Sequence, residues 1–124
     1  MVKLQVMKAG PIRQVCALVV NDRNETAEYL NALALPARKR LDHVFRRLAE
    51  TGSVGGETFK QLDDIVCEIK EHKSNTRLFG FVSRHCLVVC THGARKPGGR
   101  ARYQVEIEKV RRLFKLCLEE GVIS

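Results

Sequence analysis

No stretch of the 124 residues approaches the roughly 20 consecutive apolar side chains that a membrane-spanning helix needs. The first residues also lack the basic start, apolar run and small-residue cleavage site of a secretory signal, so a cytoplasmic protein with no membrane partner is expected. Paired cysteine spacing is missing as well. Cys16, Cys67, Cys86, Cys90 and Cys117 form an odd set, each inside an apolar run where a free thiol behaves as a small hydrophobe, which argues against a disulfide framework. Phosphate-binding loops fail on detail: "GSVGGE" has no Gly-Lys-Ser/Thr ending, and "KPGGR" does not pass from a strand directly into a helix. There is no Gly-x-Ser-x-Gly elbow, no internal repeat and no low-complexity tract. Cys86, Cys90 and His92 lie close enough to suggest a metal site, but on an extended strand the first two stand about 13 Å apart, at ~3.3 Å per residue. That is too far for two ligands of one tetrahedral ion, so no metal or other cofactor is expected.

Acidic residues are also scarce, with 14 Asp and Glu against 22 Lys and Arg, a net charge of +8. Such an excess favours contact with a polyanion or an acidic partner protein. It is uneven: nine of the cations fall between residues 84 and 115, where only Glu106 and Glu108 oppose them. The stretch "THGARKPGGRARYQ" at 91–104 gathers a histidine, four cations and a tyrosine around a Pro-Gly-Gly turn.

The length suits a single domain over 1–124 with one core. After a frayed start, "IRQVCALVV" at 12–20 reads as a strand closed by the turn chemistry of "NDRN". "ETAEYLNALAL" and "LPARKRLDHVFRRLAETG" read as a helical hairpin, the second helix opened by Pro36 and stopped by Gly52. Leu41, Val44, Phe45 and Leu48 repeat at the helical spacing of three and four, leaving Arg38, Lys39, Arg46 and Arg47 toward water. The period then changes to two. Strands at 65–72, 76–82 and 86–92 form an antiparallel meander, with 59–62 a candidate extension of the first. Ile107, Val110, Leu113 or Phe114, and Cys117 mark an amphipathic C-terminal helix ended by Gly121. The fold class is α+β: a compact antiparallel sheet against an N-terminal helical hairpin, with a C-terminal helix.

On the meander, Glu68 and Lys70 share a face, Arg77 begins the next strand, and His92, Arg95 and Lys96 stand at the far end of the third. Cations converging at one end of a sheet can bind a phosphodiester and stabilise the added charge of a pentacovalent transition state without a metal. Such chemistry also needs a proton acceptor and a donor, for which His92 and Tyr103 are the nearby candidates of ordinary acid-base type. Each also has a structural reading, His92 as a packed strand-end residue and Tyr103 as a cover over the core.

The ordered set Glu68-Ile69-Lys70, Thr76-Arg77 and His92-Gly93-Ala94-Arg95-Lys96 resembles the RelE/HigB-like toxins of bacterial and phage toxin-antitoxin systems, in their phage-derived RelE-like branch. Their pattern is a strand ending Glu-Leu-Arg, a strand beginning Tyr-Arg, and a hydrophobic strand running into His-Gly-Phe-x-Lys-Lys before a helix. The likeness runs from about residue 25 and is strongest over 59–114. Departures are Ala94 for the aromatic, Thr76 for the tyrosine, and "KPGGRARYQ" for the usual Lys-Thr-x-x-Thr-Pro continuation. The resemblance implies a RelE-like fold and a ribosome-dependent, metal-independent mRNA endoribonuclease, the 2′-hydroxyl attacking the adjacent phosphate. It also implies a cognate antitoxin protein as partner, besides mRNA on the ribosome. Carried over, Lys70, Arg77, Arg95 and Lys96 match basic motif positions, while Arg100 and Arg102 complete a cradle for RNA phosphate. Relatives of the ParE kind keep the architecture and poison DNA gyrase instead, so the alternative is a non-catalytic binding module, gyrase-directed or an inactive toxin homologue.

Overall fold

A computed structural model describes residues 1–84 and 86–124. The elements run β1 (Val2–Ala9), β2 (Gln14–Val20), α1 (Glu25–Ala32), α2 (Leu35–Thr51), β3 (Phe59–Gln61), β4 (Val66–Glu71), β5 (Thr76–Ser83), β6 (Leu87–Arg95) and α3 (Arg100–Glu119). They build one six-stranded sheet in the order β1-β2-β6-β5-β4-β3. The expected α+β class, hairpin and C-terminal helix are all present. The sheet is mostly antiparallel, with β2 and β6 paired in parallel from Gln14↔Leu87 to Ala17↔Cys90.

Three boundaries differ from the sequence expectation. The start is not frayed: β1 pairs with β2 from Val2↔Val20 to Ala9↔Gln14, with a bulge between Val6 and Lys8. Residues 59–61 do not extend the next strand but fold back on it as β3, with Phe59 opposite Ile69. Finally, α3 begins at Arg100, about two turns before its first periodic apolar residue, because its exposed, cationic first turn carries no hydrophobic signal.

Alternation along the strands divides the core into two layers. Val2, Leu18, Val66, Phe79, Phe81 and Val89 face α3, where they meet Val110 and Cys117. Cys67, Ile69, Leu78, Val88 and Cys90 face the hairpin, where they meet Leu41, Phe45 and Leu48 of α2. Asn24 caps α1 by accepting from the Ala27 N–H at 2.9 Å. Gly52 closes α2 with φ 84°, its N–H donating to the Leu48 carbonyl. A β-bulge at Phe79/Gly80 brings the β5 and β6 backbones so close that a Cβ at position 80 would run into the Val89 carbonyl. The bulge leaves His92 opposite Phe79, and so on the α3 side. Among the described residues no helix is long and apolar enough to cross a membrane.

Candidate functional site

Strand register assembles the site. Lys70, Arg77 and Ala94 form one row across β4, β5 and β6, and Glu68, Phe79 and His92 form the next. Because Val66, Phe79 and Phe81 pack toward α3, the period of two directs Glu68, Lys70, Arg77 and His92 to that same face. The first turns of α3 lie over them. Tyr103 meets Phe79 edge-on at 6.0 Å between ring centroids, and Phe79 stacks on the His92 ring at 5.5 Å.

This cover buries charge. Arg77 is 4% exposed, His92 3% and Glu68 2%. Arg77 Nη1 donates to the Thr76 carbonyl at 3.0 Å, while its Nε has no partner. Glu68 Oε1 lies 3.8 Å from Lys70 Nζ, and its Oε2 is without a hydrogen bond. Leaving a buried polar atom unpaired costs about 1–3 kcal/mol, more for a charged group, so apolar packing alone would not favour this arrangement.

His92 is held on both ring nitrogens. Nδ1 is 2.8 Å from Thr91 Oγ1, and Nε2 is 3.1 Å from Glu106 Oε1 on the second turn of α3. Burial pushes its basicity below the ordinary histidine value, the Lys109 charge adds to this, and Glu106 opposes both. The neutral tautomer that fits these partners carries its proton on Nε2, donating to Glu106, with Nδ1 accepting from the Thr91 hydroxyl. That hydroxyl is also 3.2 Å from the Phe79 carbonyl, so its single proton serves one acceptor at a time. Lys109 in turn binds Glu25 at 2.8 Å, tying α3 to the start of α1.

The remaining cations form a rim. Arg95 pairs with Thr76, and the Lys96 N–H donates to the Asn75 carbonyl at 2.7 Å, which sets both exposed residues at the β4–β5 turn. Arg100 and Arg102 stand exposed on the first turn of α3, where no acidic side chain and no side-chain cap offsets the positive end of the helix dipole. Cations there are disfavoured by roughly 0.3–1 kcal/mol each, a penalty that a bound anion would reverse. Cys90 packs toward the hairpin while His92 faces α3, so thiol and imidazole point apart. Glu71, on the opposite face, is pulled down to about 2 by its 2.7 Å contact with Arg40, and it also accepts from Ser74, pinning the turn that carries the rim.

The structure thus brings Lys70, Arg77, His92 and Tyr103 together between the sheet and α3 and leaves Lys96, Arg100 and Arg102 exposed near the start of α3, whereas Arg95 falls in the Glu71–Thr76 row, whose side chains alternate toward the hairpin. Sequence reasoning gave no site role to Glu68, Thr91 or Glu106. Glu68 did leave a signal, a carboxylate inside the apolar run "IVCEI" on the same face as Lys70. Glu106 left none beyond its place near a helix start.

Compared with known families, residues 28–115 match the one described as "Phage derived protein Gp49-like (DUF891)". No curated protein and no solved structure matches the chain.

Proposed function

The chain belongs to the Gp49-like phage-derived family, a RelE/toxin-like family associated with toxin-antitoxin systems, and we propose that it is the toxin of such a pair, an endoribonuclease that cuts mRNA on the ribosome without a metal. The observation that carries this reading is the juxtaposition of Lys70 and Arg77 in one row of the sheet, with Lys96, Arg100 and Arg102 exposed near the start of α3. A scissile phosphate seated on Arg77 and Lys70 would have its developing negative charge offset by fixed cations, which is how electrostatic catalysis lowers a barrier. The 2′-oxygen attacks the adjacent phosphorus, the bond to the 5′-oxygen breaks, and a 2′,3′-cyclic phosphate and a 5′-hydroxyl result. Tyr103 and His92 are the acid-base candidates beside such a phosphate, and of the two the Tyr103 phenol is the one that carries a proton for the departing 5′-oxygen. A separately encoded antitoxin, acidic or amphipathic where it meets the rim, would neutralise the toxin by covering these cations.

One observation favours a second reading, a non-catalytic binding module of the same fold. Arg77 and His92 are almost fully buried, and both ring nitrogens of His92 are engaged. Defined mRNA on purified ribosomes separates the two. The ribonuclease reading expects cut ends bearing cyclic or 3′-phosphate that still form in chelator, and their loss in Arg77→Ala and Lys96→Ala. Whole mRNA together with inhibited DNA gyrase would establish the binding module instead.

A further inference from the structure

Among the described residues, the buried polar atoms without a hydrogen-bond partner on the α3-facing side of the sheet are Glu68 Oε2 and Arg77 Nε. They belong to oppositely charged residues on diagonal positions of paired strands, one register step apart. We propose that Glu68 is the proton acceptor of the cleavage reaction, taking the proton of the 2′-hydroxyl as that oxygen attacks a phosphorus held beside Arg77. The proposal rests on the ribonuclease reading above and names the residue that reading leaves open.

Proton acceptance requires a lone pair that is free and close to the phosphate. The cations cannot supply one, and the Tyr103 phenol brings a proton rather than taking one. His92 has Nδ1 facing the Thr91 hydroxyl at 2.8 Å and Nε2 facing Glu106 at 3.1 Å, and its basicity is lowered by burial. Glu68 differs on each point. Lys70 stands beside Oε1 at 3.8 Å, which leaves Oε2 uncommitted, and Arg77 lies across the neighbouring strand. The electron pair of Oε2 takes the 2′-proton, the 2′-oxygen bonds to phosphorus, and the 5′-oxygen leaves with a proton from the Tyr103 phenol. Atoms and charge balance without a co-reactant.

Access comes from α3. The start of α3, which reaches this face at Phe79 and His92 beside Glu68 and Arg77, is attached through Gly98 and Gly99, around which no heavy atom lies within 4 Å of where a Cβ would stand. The first two turns are held down by the Tyr103–Phe79 edge contact and the Glu106–His92 hydrogen bond. RNA reaching the sheet shifts those turns enough to meet Glu68 Oε2 and Arg77 Nε, the carboxylate oxygen and guanidinium N–H that have been without hydrogen-bond partners, with Tyr103 still beside the phosphate.

The test is single-turnover cleavage of a defined mRNA on ribosomes by the full chain and by Glu68→Gln, which keeps the side chain's size. We expect a loss of roughly a hundredfold or more, with RNA affinity and melting temperature close to wild type. Glu68→Asp, which keeps the acid, should recover part of the rate, and it decides the question if the glutamine variant melts early. An mRNA with a 5′-bridging phosphorothiolate at the cut needs no proton for its leaving group and should leave Glu68→Gln defective; rescue there would make Glu68 the acid and overturn the proposal. Glu68→Gln cutting within a few-fold of wild type overturns it as well. An uncut mRNA with the wild-type protein would bring down the ribonuclease reading itself, a failure distinct from the other two.

Discussion

His92 offers a measurable sign. Burial first, and Lys109 second, hold its basicity below the ordinary histidine value against the pull of Glu106. The unfolded chain therefore takes up a proton near pH ~6.5 that the folded chain declines until the pH is lower. The contribution of His92 to stability is whole above about pH 6.5 and is lost as pH falls below it. The slope is at most about 1.4 kcal/mol per pH unit while the two states differ by one proton. Urea unfolding at pH 7.5, 6.5 and 5.5 would read this, with His92→Gln as the reference that lacks the titrating group. Glu106→Gln sharpens the test. Its amide oxygen can still accept from Nε2–H, so the cost at pH 7.5 should stay below about 1 kcal/mol. Without the carboxylate charge, the folded protein resists protonation of His92 to still lower pH, and the loss of stability should extend further down. A flat wild-type profile from pH 7.5 to 5.5 relative to His92→Gln would refute the lowered basicity, and a rising one would mean that folding favours the charged histidine. In that case the ion pair with Glu106, rather than a neutral hydrogen bond, holds α3 on the sheet.

The parts of the site that follow from strand parity are legible in the amino-acid order alone. Lys70 and Glu68 lie two apart on β4, and Arg77 lies two before Phe79 on β5, so alternation sends them to one face. The meander is equally plain, since β-branched and aromatic residues crowd it and polar turns bound it. What stays hidden depends on contacts between distant segments. The run "VKLQVMKA" alternates weakly and becomes β1 only because β2 lies beside it, and β2 itself is fixed by a parallel pairing with β6 from the other end of the chain. The packing of His92 at a strand end and the cover by Tyr103 are readable as structural alternatives, but the burial of Arg77 is not. The first turn of α3 shows cations to solvent and gives no periodic sign that Glu106 reaches the sheet.

Three further outcomes are expected. RNA binding should weaken steeply with salt, and Lys96→Ala should lower the slope of log affinity against log salt by about one while leaving the melting temperature unchanged; a salt-independent affinity would dismiss the electrostatic cradle. Arg40→Ala should destabilise the fold at neutral pH by removing the charge partner of the mostly buried Glu71, which keeps its hydrogen bonds from Ser74. Because the folded Glu71 value is depressed to about 2, the stability from this pair is present above the unfolded value of ~4.3 and fades as pH falls toward about 2, so wild type and variant should converge in acid. Gly99→Ala tests the hinge of α3. Gly99 sits at φ 110° and ψ 171°, a region that is essentially glycine's own, and alanine there costs roughly 1–3 kcal/mol. No heavy atom lies within 4 Å of the added Cβ, so the penalty is backbone strain rather than a clash, and the chain can relieve it by rotating the entry of α3. Relief of that kind lifts Tyr103 and Glu106 from Phe79 and His92, whereas the later turns stay anchored through the buried Val110 and Cys117. Hydrogen exchange should therefore speed up at the amides of the first two turns and stay protected beyond Val110, and RNA should associate faster as Glu68 and Arg77 become reachable. Uniform protection along α3 with an unchanged association rate would mean that these turns do not gate the face beneath them.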